Sequence, residues 1–123
     1  MTQIPKNAAG FNQDFKAMKK DLDSQFAYLK RVPVASFVTF FKITELEAGI
    51  FSEVLRTLAN KVDGAEDTKW AGDLMLALSK ASKFDMTLMF AEDDDVSNIS
   101  AIVEKVKAVD AGKGAEVADA FAD

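Results

Sequence analysis

The chain has 123 residues, enough for one domain with a buried core, and 49% of them are hydrophobic. It contains no Cys and no His, which excludes disulfides, thiolate nucleophiles, His-based triads and zinc sites built on those side chains. The formal net charge of -5 argues against a general nucleic-acid or anionic-membrane surface, which would need clustered Lys and Arg. We therefore expect a folded protein that is not an enzyme, with no cofactor and no bound metal.

Targeting signals are not evident. No apolar run reaches the length of about 18 residues that a transmembrane helix needs. Residues 1–10 lack the basic-then-apolar layout of a signal peptide. We expect a cytoplasmic location, with the nucleus as an alternative, and no membrane partner.

Pro and Gly residues suggest where the folded region begins and ends. We predict a flexible lead-in over residues 1–10, a helical domain over residues 11–109, and an acidic, Ala- and Gly-rich tail over residues 110–123. Gly112 and Gly114 lie in that tail, for which we predict at most one loose turn.

The first two helices follow from spacing and caps. Phe11 and Phe15 are spaced for one helix face and open the first helix. Asp23 or Ser24 is expected to cap a second helix, which must stop before Pro33 because the residue preceding a proline is pushed out of the α region.

Residues 34–41, VASFVTFF, are ambiguous by pattern, since β-branched and aromatic residues favour strands. We predict a helix, because Phe37, Phe40 and Phe41 share one face and no second strand candidate is available for pairing.

Thr44 and Glu47 then form a T-x-x-E capping box for the longest helix. Its apolar stripe consists of Leu46, Ile50, Phe51, Val54, Leu55, Leu58 and Val62, and Asp63-Gly64 is expected to close it.

Residues 70–90, WAGDLMLALSKASKFDMTLMF, organise the rest of the chain. Their first half has the stripe of a core helix. Ser82 and Asp85 form an S-x-x-D capping box that is expected to start a second, short helix at Lys83. The sum is six or seven short helices and no strand, which predicts a compact all-α bundle.

The short helix is apolar on two opposed faces. Phe84 and Leu88 lie together, Met86 and Phe90 lie roughly opposite them, and Met89 lies between. Such a helix must be covered on both sides, either by two elements of its own domain or by the domain and a partner. For the Met and Phe90 side the two interpretations are about equally supported, since Met and Phe suit both cores and adaptable recognition surfaces.

Asp93, Asp95 and Glu104 fall at spacings found in an EF-hand calcium loop. The position that needs Gly for the sharp turn is Asn98, and Val96 belongs to a helical apolar pattern that runs through the supposed loop. We therefore predict a helix with an acidic N-terminus, and keep calcium binding as a minor alternative.

Three stretches together resemble the C-terminal domain of the RNA polymerase II-associated protein 3 family, cochaperones of the Monad or Spaghetti type, and of related dynein-assembly proteins. They are FNQDFKAMKKDLDSQFAYLKRV, FFKITELEAGIFSEVLRTLA and LMLALSKASKFDMTLMF. The motif L-S-K-x-x-K-F-D-M-x-x-M-F is the most specific part, and the similarity covers residues 11–106.

The resemblance implies an adaptor or cochaperone domain. It would dock onto RuvB-like AAA+ ATPases and link them indirectly to heat-shock protein 90 for the assembly of macromolecular complexes. Lys83, where relatives usually have Arg, and Met86, Met89 and Phe90 would face the partner, while Phe84 would hold the helix to the core. The alternatives are a dynein-arm preassembly factor with a different client and a small-molecule- or calcium-responsive helical protein.

Overall fold

The computed structural model describes residues 5–19, 21–42 and 44–122, and these residues form eight α-helices and no strand. The helices are α1 (Ala8–Ala17), α2 (Leu22–Arg31), α3 (Val34–Phe40), α4 (Ala48–Lys61), α5 (Gly64–Leu78), α6 (Phe84–Met89), α7 (Asp93–Val109) and α8 (Ala111–Ala120). The prediction of an all-α bundle is confirmed, with eight helices instead of six or seven. None of these helices is both long and apolar enough to cross a membrane.

α4 lies at the centre of the bundle, in contact with α1, α2, α6 and α7. Its apolar stripe is buried as predicted: Ile50, Phe51, Val54, Leu55 and Leu58. α5 packs against α3, α7 and α8. The amphipathic pattern of α4 therefore predicts correctly which side of this helix faces inward.

Aromatic side chains fill the two ends of the core. At one end, Phe11 stacks on Phe15, with 5.3 Å between ring centroids, and meets Phe37 edge-on at 5.2 Å. At the other end, Phe51 of α4 contacts Phe84 of α6 at 5.6 Å. The helix over residues 34–41, predicted against its strand-like composition, is confirmed as α3.

The N-terminal helices start earlier than predicted. α1 begins at Ala8, because the Asn7 side-chain oxygen accepts a hydrogen bond from the Gly10 N–H at 2.8 Å. Residues 8–10 therefore belong to the domain, and residues 1–4 of the predicted lead-in lie outside the described residues. Asp21, and not Asp23 or Ser24, caps α2 by accepting the Ser24 N–H at 3.0 Å. That bond holds the pKa of Asp21 below its usual value.

Both predicted capping boxes are wrong. α4 begins after Glu47 and α6 after Lys83, and neither helix has a side-chain hydrogen bond at its N-cap. The Ser82 N–H instead donates to the Phe41 carbonyl at 2.7 Å, a contact with a segment far away in sequence. A capping box does occur at α7, where the Asp95 carboxylate accepts the Glu92 N–H at 3.0 Å.

The predicted C-terminal tail is also wrong, since residues 111–120 form α8. The Asp110 side chain accepts the Lys113 N–H at 3.1 Å and starts the helix, and Val117 is buried against the core. Gly114 lets α8 approach α7 closely, because a Cβ there would lie 2.8 Å from backbone atoms of Lys107. The glycine that suggested a loose segment is thus a point of contact between helices.

Candidate docking surface

One side of α6 is fixed to the core. The Phe84 ring is 8% exposed and meets Phe51 and Phe121 edge-on, with centroid distances of 5.6 and 5.2 Å. The Thr87 hydroxyl, also buried, donates to the Leu46 carbonyl at 2.8 Å. Because these contacts come from different elements of the bundle, α6 has a defined orientation although it is only six residues long.

The other side of α6 is open to solvent. Met86 is 44% exposed, Met89 79% and Phe90 66%. Their i, i+3 and i+4 spacing places these three side chains on one side of the helix. A contiguous group of large exposed apolar side chains is typical of a protein interaction site. We call this group, together with Lys83, the docking face.

Lys83 begins the docking face in an uncommon conformation. Its φ is 56° and its ψ 35°, the left-handed region that costs a residue with a Cβ about 1 kcal/mol. In this position its carbonyl accepts the Met86 and Thr87 N–H groups at 3.0 and 3.2 Å and starts α6. The Lys83 side chain is exposed and has no carboxylate partner among the described residues. The docking face therefore combines three apolar side chains with one cation at its edge.

The two-sided pattern read from the sequence matches the positions of these side chains. Phe84 is buried and Leu88 is half-buried, while Met86 and Phe90 point outward. That the docking face binds a partner stays a prediction. Thr87 and Phe121, which hold α6 in place, were not predicted from the sequence. The i, i+4 spacing of Val117 and Phe121 is the pattern from which the burial of Phe121 could have been predicted.

The acidic residues of α7 do not form an EF-hand. α7 runs without a break from Asp93 to Val109, so the calcium-loop spacing lies on a helix. Within the described ranges, no group of three or more acidic side chains is placed to hold a metal ion. Asp95 has a structural role, since its carboxylate accepts the Ser52 hydroxyl at 2.8 Å besides capping α7.

Comparisons with known proteins place these features in a family context. Residues 4–96 match a family model described as "Potential Monad-binding region of RPAP3". In that description Monad is the protein bound, which corrects the expectation that Monad is a name for the family. The chain is 26% identical over 95 residues to RNA polymerase II-associated protein 3 of Xenopus laevis, and 24% identical over 92 residues to that of Homo sapiens. It covers 14% of the length of these relatives, and the aligned regions span 77% and 75% of the chain.

A solved structure has the same fold. The NMR structure of the C-terminal domain of the human RPAP3 protein superposes with a TM-score of 0.86 and 19% sequence identity. The match covers 98% of this chain and 90% of the solved one. The shared fold therefore extends through α8, although the family model stops at residue 96, in the first turn of α7.

Proposed function

The chain belongs to the RPAP3 C-terminal family, and on that premise we propose that it docks onto RuvB-like AAA+ ATPases through the docking face of α6. The family description is that of a protein-binding region, which supports an interaction domain. In this proposal the domain acts as an adaptor in the cytoplasm or nucleus, and links the ATPases indirectly to heat-shock protein 90 for complex assembly.

One observation supports this proposal most directly. The motif that carries the family resemblance is also the place where Met86, Met89 and Phe90 lie exposed on one side of a helix. Covering such a side chain contributes at most about 1.5–3 kcal/mol, and less for Met86, of which only 44% is exposed. Met and Phe are also among the residue types enriched at protein interfaces.

The anchoring of α6 favours binding for a second reason. Phe84 and Thr87 already hold the helix in one orientation in the free chain. A preorganised helix loses little conformational entropy on association, so more of the contact energy appears as affinity. Lys83 adds a cation that can pair with an acidic patch of the ATPase, although an ammonium lacks the bidentate geometry of Arg.

The test is a calorimetric titration of this chain into purified RuvB-like ATPases. We expect Met86→Glu and Phe90→Glu to weaken binding at least about tenfold, because each places a carboxylate in an apolar contact. Val109→Glu is the matched control: Val109 is 36% exposed and lies at the far end of α7. It should bind like the wild type.

Circular dichroism of each variant completes the design. If the wild type does not bind a competent ATPase ring, the proposed partner is wrong. If the wild type binds and both folded Glu variants bind equally well, the partner is right and the docking face is not the contact.

Monad is the second candidate partner, because the family description names it. A titration of the wild type and the same three variants with purified Monad tests this candidate. If Monad and the ATPases compete for the docking face, Met86→Glu should weaken both complexes. The alternative function is that of a dynein-arm preassembly factor with a different client, and an assembly assay with dynein-arm subunits tests it.

A further inference from the structure

A groove lies beside the docking face, between α6, α7 and α8. Its volume is about 720 Å³, and most of its lining is apolar. The apolar residues that define it are Leu88, Met89, Val96, Ile99, Val103 and Phe121. Val103 and Phe121 are buried at its base, whereas Val96 is 54% exposed at its edge. The groove is therefore apolar from its buried base to its solvent-exposed edge.

The α7 side of the groove has a helical repeat. Val96, Ile99 and Val103 follow one another at i, i+3 and i+7 and all line the groove. α7 and α8 are consecutive helices that share Asp110 as a cap, and they pack against each other. The apolar channel along such a pair of packed helices is the kind of surface into which a third helix packs its own ridge of side chains.

The charges around the groove specify the occupant further. Asp85 and Glu104 line it, and Lys107 is the only cation that does so within the described part of the chain. All three side chains are exposed, and neither carboxylate has an ion-pair partner among the described residues. An apolar segment flanked by Lys or Arg would pair with these carboxylates, whereas one flanked by acids would be repelled.

We propose that this groove binds an amphipathic helix of a partner protein, with large apolar side chains on one side and Lys or Arg beside them. The groove is a second binding surface, because Lys83, Met86 and Phe90 do not line it and only Met89 belongs to both. If both surfaces are used, the domain contacts two partners, which the adaptor role proposed above requires.

The probe is a fluorescent peptide of about four helical turns, with Leu at i, i+3/i+4 and i+7 positions and Lys at its flanks. Two further peptides serve as controls, one with Glu in place of Lys and one with Ser in place of Leu. Fluorescence anisotropy measures binding to the full chain. Amide shifts in NMR spectra are expected at Ile99, Val103 and Phe121, which line the groove.

Four variants locate the contact. Val96→Lys and Ser100→Trp, both at exposed positions lining the groove, should weaken the Lys-flanked peptide at least about tenfold, the first by repelling its Lys residues and the second by filling the groove. Val109→Glu, on the same helix but outside the groove, should change its affinity less than about twofold. The Phe90→Glu variant should bind the peptide like the wild type, because Phe90 does not line the groove. A failure of the groove proposal can therefore be told apart from a failure of the ATPase proposal.

Several results would overturn the proposal. One is the absence of binding by the Lys-flanked peptide, and another is equal binding by the Glu-flanked peptide. A third is self-association of the chain in sedimentation experiments that Val96→Lys abolishes, because the occupant would then be a second copy of this chain.

Discussion

α6 and α8 differ in a way that their compositions do not suggest. α6 and its C-cap Phe90 are rich in large apolar residues, yet Met86, Met89 and Phe90 are exposed. α8 consists mostly of Ala, Gly and charged residues, yet it buries Val117, and the residue that ends it, Phe121, is 7% exposed. The apolar content of a short helix thus says little about how much of it is buried.

The difference arises from how closely each helix approaches its neighbours. α8 lies against α7 because Gly114 has no side chain to hold the two backbones apart. α6 packs on the bundle through Phe84, Thr87 and the half-buried Leu88, and its opposite side is exposed. The close approach of α8 stabilises the fold, while the exposed side of α6 remains available for a partner.

The largest expected effect separates two phenylalanines. Phe121→Ala should lower the free energy of unfolding by about 3–5 kcal/mol, since its ring packs on Phe51 at 6.0 Å and on Phe84 at 5.2 Å. Phe90→Ala should change it by less than about 0.5 kcal/mol, because that ring is 66% exposed. Urea denaturation followed by the fluorescence of Trp70, the single Trp, measures both. Equal losses of unfolding free energy in the two variants would show that Phe121 contributes no more to the core than Phe90 does.

A smaller effect tests the close approach itself. Gly114→Ala should destabilise the fold by about 1–3 kcal/mol, because the new Cβ would meet the Lys107 backbone at 2.8 Å. Gly112→Ala, in the same helix, meets only the Asp110 carboxylate oxygen at 3.5 Å and should be neutral or stabilising by up to about 1 kcal/mol. Thermal unfolding compares the pair, and opposite signs are the expected result. A neutral Gly114→Ala would show that α8 does not depend on this contact.

The smallest expected effect concerns Lys83. Lys83→Gly should stabilise the fold by up to about 1 kcal/mol, because Gly adopts a φ of 56° without strain. The same change should weaken docking by removing the cation. Lys80→Gly is the control: Lys80 is also exposed but does not have a positive φ, so glycine there should only destabilise. A fall in stability for both variants would show that Lys83 is not strained.

The fold class was predictable from sequence because apolar spacing reports which side of a long helix is buried. The stripe of α4 and the helix over residues 34–41 follow from that rule, as does the two-sided pattern of Phe84 and Met86. The family could be identified from the motif over residues 78–90, and the comparison confirms it.

Helix starts and the C-terminal helix were not predictable in the same way. Just before α6, the Ser82 N–H donates to the Phe41 carbonyl, a bond that joins segments far apart in sequence. The burial of Phe121 depends likewise on Phe51 and Phe84. Local capping patterns do not contain this information, and the groove that α8 helps to form could not be anticipated without α8.

The exposure of α6 also decides how the chain meets oxidants. With no Cys present, methionine holds all the sulfur of the chain, and Met86 and Met89 are exposed while Met75 is fully buried. Peroxide should therefore add oxygen to the two α6 methionines before it reaches Met75, which peptide mass spectrometry can follow. Each sulfoxide places a polar oxygen on an otherwise apolar surface, and methionine sulfoxide reductases reverse the change. The residues proposed to hold the partner are thus the ones at which oxidation would loosen it.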